Sequence, residues 1–222
     1  MEVEIVKYSV GSALKAKMKE GEYIYTEPGA LIGSKGELEI DSSVAGGLIT
    51  GAMRMLGGGE SAFINKVIAR SAEVEAYFAP SLPSDIIQVK MENEEYILGD
   101  GAYLAHTGNI SLSTKLRLVD GLISGYGFLL LKAEGSGDLF LSGEGSIIEL
   151  NLQPGEIAIV DNTNFLATNA PQMEKIRLAT GIKSLLFGGE GIGFRIRGPA
   201  KVLIRTNSVG GLAEAILRYI KT

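Results

Sequence analysis

The chain has no cysteine, no tryptophan and a single histidine, His106. Without thiols there can be no disulfide, thiolate metal site or cysteine nucleophile. One imidazole makes a multi-histidine metal site, or a Ser-His-Asp triad with a spare base beside it, hard to build. No G-x-x-x-x-G-K-[ST] run is present and no G-x-G-x-x-G opens a helix, so the glycine clusters read as turns rather than phosphate cradles. No stretch approaches the roughly 18 apolar residues that a membrane-spanning helix needs. A basic excess is missing too. With 21 Lys and Arg against 26 Asp and Glu, the net charge of −5 offers no general attraction to nucleic acid or anionic lipid.

Hydrophobic residues make up 45% of the 222 positions, enough to bury a sizeable core. Thirty glycines against six prolines favour tight turns and bulges over a helical bundle. From Met1 to Val6 charge and apolarity alternate, which reads as a strand and not a signal peptide. The sequence therefore predicts a cytoplasmic all-β protein, one domain over 1–222.

Two phrases recur along it. The first is a glycine-acid turn, a strand, a second turn and another strand. It starts at Gly21-Glu22-Tyr23-Ile24, at Gly99-Asp100-Gly101-Ala102-Tyr103 and at Gly155-Glu156-Ile157-Ala158. The second is a glycine-led hairpin, starting at Gly59-Glu60-Ser61, Gly125-Tyr126-Gly127 and Gly191-Ile192-Gly193. Together they predict three β repeats over about 1–91, 92–150 and 151–208. Only the end differs. Leu212, Ala213, Ile216, Leu217 and Ile220 fall at helical spacing with Glu214, Arg218 and Lys221 opposite, which predicts an amphipathic helix over 209–222 that docks on its own domain or on a neighbouring subunit.

Two groups of residues are candidates for function. Glu27 and Asp161 end corresponding strands in the first and third repeats, and His106 lies one position off correspondence in the second. Approximate threefold symmetry would let the three converge on a cation or in acid–base work; alternatively each caps the turn that follows it. The other group lies in the glycine-bounded insertion 45–59, which carries one charge, Arg54, and which reads as a connection or a short helix over 48–56. Its Leu48, Ile49, Met53, Met55 and Leu56 need cover from the domain's own sheet, a sister subunit or a bilayer surface.

Several stretches in order, Glu27-Pro28-Gly29-Ala30-Leu31, Gly46-Gly47-Leu48, Met55-Leu56, Gly58 to Phe63 and Gly198-Pro199-Ala200-Lys201-Val202, resemble landmarks of the altered-inheritance-of-mitochondria family of uncharacterised proteins. That resemblance implies a fold like that of the tryptophan RNA-binding attenuation protein, a double-stranded β-helix or β-sandwich that assembles into trimers or rings. Its eukaryotic members are linked to inner-membrane organisation. No catalytic residue carries over. The expectation is a non-enzymatic structural or interaction protein without cofactor or metal, whose partner is itself as a homotrimer or larger ring, with a membrane surface or another protein as further partners. The alternative is a module that binds RNA or a small ligand. Nucleic acid is not expected, because the best basic stretch, Arg195 to Lys201 with Arg205, has only Phe194 beside it.

Overall fold

The computed structural model describes residues 1–42, 64–118, 128–178 and 191–220. Leu48, Ile49, Met53, Met55 and Leu56, and the helix expected over 48–56, lie outside the described residues. A leading strand, β1 (Glu2–Lys7), precedes three units with one strand order. The first comprises β2 (Ser12–Lys19), β3 (Tyr23–Thr26), β4 (Leu31–Lys35), β5 (Leu38–Asp41), β6 (Asn65–Ala69) and β7 (Glu73–Phe78). The middle unit makes the same course with β8 (Ser84–Leu98), β9 (Tyr103–His106), β10 (Asn109–Leu118) and β11 (Phe128–Glu144). The third comprises β12 (Ile147–Leu152), β13 (Ile157–Asp161), β14 (Phe165–Thr168), β15 (Met173–Arg177), β16 (Ile192–Arg197) and β17 (Ala200–Arg205), followed by helix α1 (Val209–Ile220).

Pairing establishes which strands correspond. In the first unit β7 lies between β2 and β4, and β6 between β3 and β5. In the third β17 lies between β12 and β14, and β16 between β13 and β15. The middle unit merges strands: β8 covers the course of β2 and β3, and β11 that of β6 and β7. The units so defined cover 12–78, 84–144 and 147–205, whereas the turn phrases place the borders near 91 and 150.

The register also moves one of those phrases. Leu31 to Gly33, Tyr103 to Ala105 and Phe165 to Ala167 each form a bulge against the last strand of their own unit. Residues 103–106 therefore correspond to β4 and β14, not to β3 and β13 as the glycine-acid turn suggests. The same tight turn precedes all three strands: Ala30 N–H donates to the Glu27 carbonyl, Ala102 to Gly99, and Asn164 to Asp161.

The sheets stack in four layers. The first is β1-β2-β7-β4. The second joins β5-β6-β3 to β9 and to the outer halves of β11 and β8, and the third joins β10 and the inner halves of β11 and β8 to β14-β17-β12. The fourth is β13-β16-β15. Three apolar clusters fill the spaces between them. Leu14, Val74 and Phe78 meet Ile24, Leu104 and Phe140 in the first, and Val89, Leu139 and Leu141 meet Leu98, Leu166 and Leu203 in the second. Ile97, Phe165 and Val202 meet Val160, Phe194 and Ile196 in the third. Period-two alternation explains how one strand serves two cores: Leu104 points into the first cluster and Tyr103 into the second. Fully buried Phe78, Phe140, Phe165 and Phe194 each contribute about 1.5–3 kcal/mol.

Helix α1 forms where its periodicity places it. Among its described side chains, Val209, Leu212, Ile216 and Ile220 are not docked on the sheets and are 49% to 71% exposed.

Candidate functional site

His106 ends β9, a strand held between β3 on one side and β11 on the other. Tyr25 lies opposite it across the β3–β9 pair and stacks on the imidazole at 4.7 Å between ring centroids. The Tyr103 hydroxyl lies 2.8 Å from His106 Nδ1. Both side chains are buried, His106 to 2% exposure. Burial brings the imidazole pKa down to about 4, so the ring is neutral at physiological pH. The Tyr103 phenol is held well above its ordinary value of 10, first by burial and then by the charges of Glu27 and Tyr25. A phenol that keeps its proton can donate to Nδ1 in the tautomer protonated at Nε2.

Glu27 thus belongs to the same neighbourhood. It follows β3, and its N–H donates to the Leu104 carbonyl at 2.8 Å, fastening the first unit to the second. Asp161 is placed elsewhere, at the end of β13 in the fourth layer. Its Oδ1 accepts from the Thr163 N–H at 2.8 Å and the Thr163 hydroxyl at 2.6 Å, so the carboxylate caps the following turn. The correspondence drawn from the sequence shifts accordingly: Glu27 and Asp161 are counterparts of Gly99, while His106 is the counterpart of Ser34 and Thr168. Among the described residues no three His, Cys, Asp or Glu side chains gather as a ligand group for a metal.

The polar pair that sequence reasoning missed is Arg205 and Glu144. Arg205, 5% exposed at the end of β17, sends one guanidinium N–H to Glu144 at 3.0 Å and Nε–H to the Thr163 carbonyl at 2.9 Å. This ion pair ties the last strand of the middle unit to the last strand of the third. An arginine in core phase within Val202-Leu203-Ile204-Arg205 was the available signal. A separate cleft of about 260 Å³ lies at the turn from β16 to β17, at the opposite end of β17 from Arg205, lined among the described residues by Gly155, Pro171, Gln172, Arg197, Gly198 and Pro199, of which Arg197 alone is ionisable.

Chemically, the imidazole is neutral and enclosed by two tyrosines, and the buried guanidinium is matched by its carboxylate. The first arrangement joins two units within the second layer, and the second ties the second layer to the third.

Comparisons with known proteins agree on the fold. An uncharacterized protein of Streptococcus pyogenes serotype M6 is 25% identical over 213 residues, spanning 92% of this chain and 85% of that protein. The crystal structure of a Streptococcus pyogenes protein from a structural genomics programme superposes with a TM-score of 0.78 at 23% identity, covering 98% of this chain and 99% of that one. The family model described as mitochondrial biogenesis AIM24 matches residues 3–207, and the chain belongs to that family.

Proposed function

We propose that the protein is a non-enzymatic, cytoplasmic structural or interaction protein that works as a homo-oligomer, a trimer or a larger ring. The observation that carries this reading is the uncovered stripe on α1. Val209, Leu212, Ile216 and Ile220 recur along the helix, and each is about half exposed or more. A surface helix normally turns such a stripe to a core, and an apolar stripe left open on a folded chain marks a place for another molecule. The neutral, enclosed state of His106 supports a non-catalytic role, because a general base must reach the proton it takes. Among the described residues no helix is long and apolar enough to cross a membrane.

Light scattering during gel filtration tests the reading. The expected result is a mass of at least three chains at micromolar concentration, falling in a Leu212→Glu, Ile216→Glu variant that keeps its β-sheet circular dichroism. A monomer mass overturns it. Adding vesicles of neutral and of anionic phospholipid separates the membrane alternative: binding lost in the helix variant, with the mass unchanged, would assign the stripe to a lipid surface instead.

A further inference from the structure

The three units are fastened in sequence by one repeated joint, which occurs twice inside the chain. At the first, β3 of unit one pairs with β9 of unit two, with Tyr25 opposite His106, Thr26 opposite Ala105, and Glu27 N–H donating to the Leu104 carbonyl at 2.8 Å. At the second, β8 of unit two pairs with β14 of unit three, with Ile97 opposite Thr168, Leu98 opposite Ala167, and Gly99 N–H donating to the Leu166 carbonyl at 2.8 Å. The corresponding strands of a third joint are β13 of unit three and β4 of unit one. They do not pair with each other: β4 is an edge of the first layer and β13 an edge of the fourth.

The side chains at these two edges have the same unfinished character. Ile32 is the counterpart of Leu104 and Leu166. Those two leucines are fully buried, and Ile32 is 63% exposed. Ile159 is the counterpart of Ile97, which is 3% exposed inside the third cluster, yet Ile159 is 51% exposed and its neighbour on the same face, Ile157, 47%. Ile32 and Ile159 thus stand open at positions that are buried or half-buried at the sister joints.

We infer that β13 of one copy pairs with β4 of the next, in the register of the two internal joints, so that the chains associate head to tail. Ile159 then lies opposite Ser34 and Val160 opposite Gly33, and Asp161 N–H donates to the Ile32 carbonyl. The joined half-sheets become a full layer like the second and third. Ile32 packs against the third layer of one copy, and Ile159 against the second layer of the other. Because the two surfaces differ, the contact is heterologous and repeats until rotation closes a ring. This rests on the homo-oligomer reading above but concerns different residues from the α1 stripe.

Absence of native cysteine makes the register testable by disulfide formation. Directly opposed residues in a hydrogen-bonded antiparallel pair sit about 5.5 Å apart at Cα, within the range a disulfide spans. Chains carrying Ser34→Cys alone and chains carrying Ile159→Cys alone are co-expressed with different tags and oxidised. A mixed covalent dimer is expected, with little homodimer from either variant alone, and the double variant should give a ladder of multimers. Three results overturn the inference: no mixed dimer, homodimers as abundant as mixed ones, or a double variant whose disulfide closes within one chain. Light scattering on the untreated protein separates the two readings. An oligomer without the mixed disulfide refutes this edge and leaves homo-oligomerisation standing, whereas a monomer refutes both. As a second variant, Ile32→Asp should leave the single chain folded, since that side chain is already open, and should lower the assembly mass; an unchanged mass counts against the joint.

Discussion

His106 offers the most direct quantitative test of how the first two units are held together. Its imidazole titrates at about 4 in the folded protein against an ordinary 6.5, because burial between Tyr25 and Tyr103 disfavours the charged ring. Above pH 6.5 the ring is neutral whether the chain is folded or not, and its contribution to stability is fully present. As pH falls from 6.5 toward 4, the unfolded chain takes up a proton that the folded one refuses, so stability drops. Below 4 both states carry the proton and this contribution levels off. At 1.36 kcal/mol per pH unit, the gap amounts to about 3 kcal/mol. With a urea m-value of about 2 kcal/mol/M, the midpoint should move by about 0.7 M per pH unit across that window. The measurement is urea unfolding followed by far-UV circular dichroism at fixed protein concentration, compared with a His106→Gln variant. Half-buried Glu22 and Glu75 and exposed Glu149, whose pKa values hydrogen bonds to the N-terminal amine, Tyr77 and Asn151 lower, add an acid-side slope common to both proteins. Only the difference between the slopes reports on His106. Since it is the chain's one histidine, its imidazole Cε1–H resonance can be followed directly through the same range. A midpoint at or above 6.5, or parallel slopes for the two proteins, would refute the argument.

Two further outcomes follow from packing. Replacing Glu144 with Gln should cost about 3 kcal/mol, because it leaves the Arg205 charge buried without its carboxylate; a chemical-denaturation loss below about 1 kcal/mol would mean that the pair is ornamental. At Gly99 an added Cβ would lie 2.2 Å from the Phe165 carbonyl oxygen, so Gly99→Ala should lower stability by about 1–3 kcal/mol by prising the second joint apart. The control Gly191→Ala meets nothing within 4 Å and should stay within about 0.5 kcal/mol of the parent in the same assay.

Much of the fold was legible in local patterns. Period-two alternation in Leu14-Lys15-Ala16-Lys17-Met18 and Val74-Glu75-Ala76-Tyr77-Phe78 marks two strands that do pair, and the helical spacing after Ser208 marks α1. Repetition was legible as well, but its phase slipped in the middle unit. Gly99-Asp100-Gly101 looks like Gly21-Glu22, although it belongs to the next turn along. The reason is that β8 and β11 run without a break where the flanking units have turns. What remains of the turn in β8 is Asn93, held at φ 60 with its N–H on the Ser136 hydroxyl, opposite the register shift at Gly135 and Ser136 in β11. A single left-handed asparagine between glutamates gives weak punctuation in sequence. That slip displaced the proposed polar cluster. Tyr25, Tyr103 and His106 meet across two units, and only the inter-unit register puts them together.

The unbroken strands β8 and β11 have a consequence for how the chain comes apart. Each contributes one half to the second layer and the other half to the third, so the two inner layers share a continuous backbone whose side chains reach all three cores. A repeat is the unit of the chain's pattern, whereas the unit of its cooperativity is the space between layers. Cutting between units at 79–83 would not release an independent piece, because it would strip β9 of its β3 neighbour and leave Leu104 and Phe140 facing water. Native-state hydrogen exchange should accordingly find the slowest amides along β8 and β11. The outer layers should open first, and the middle of the molecule should fall only in global unfolding.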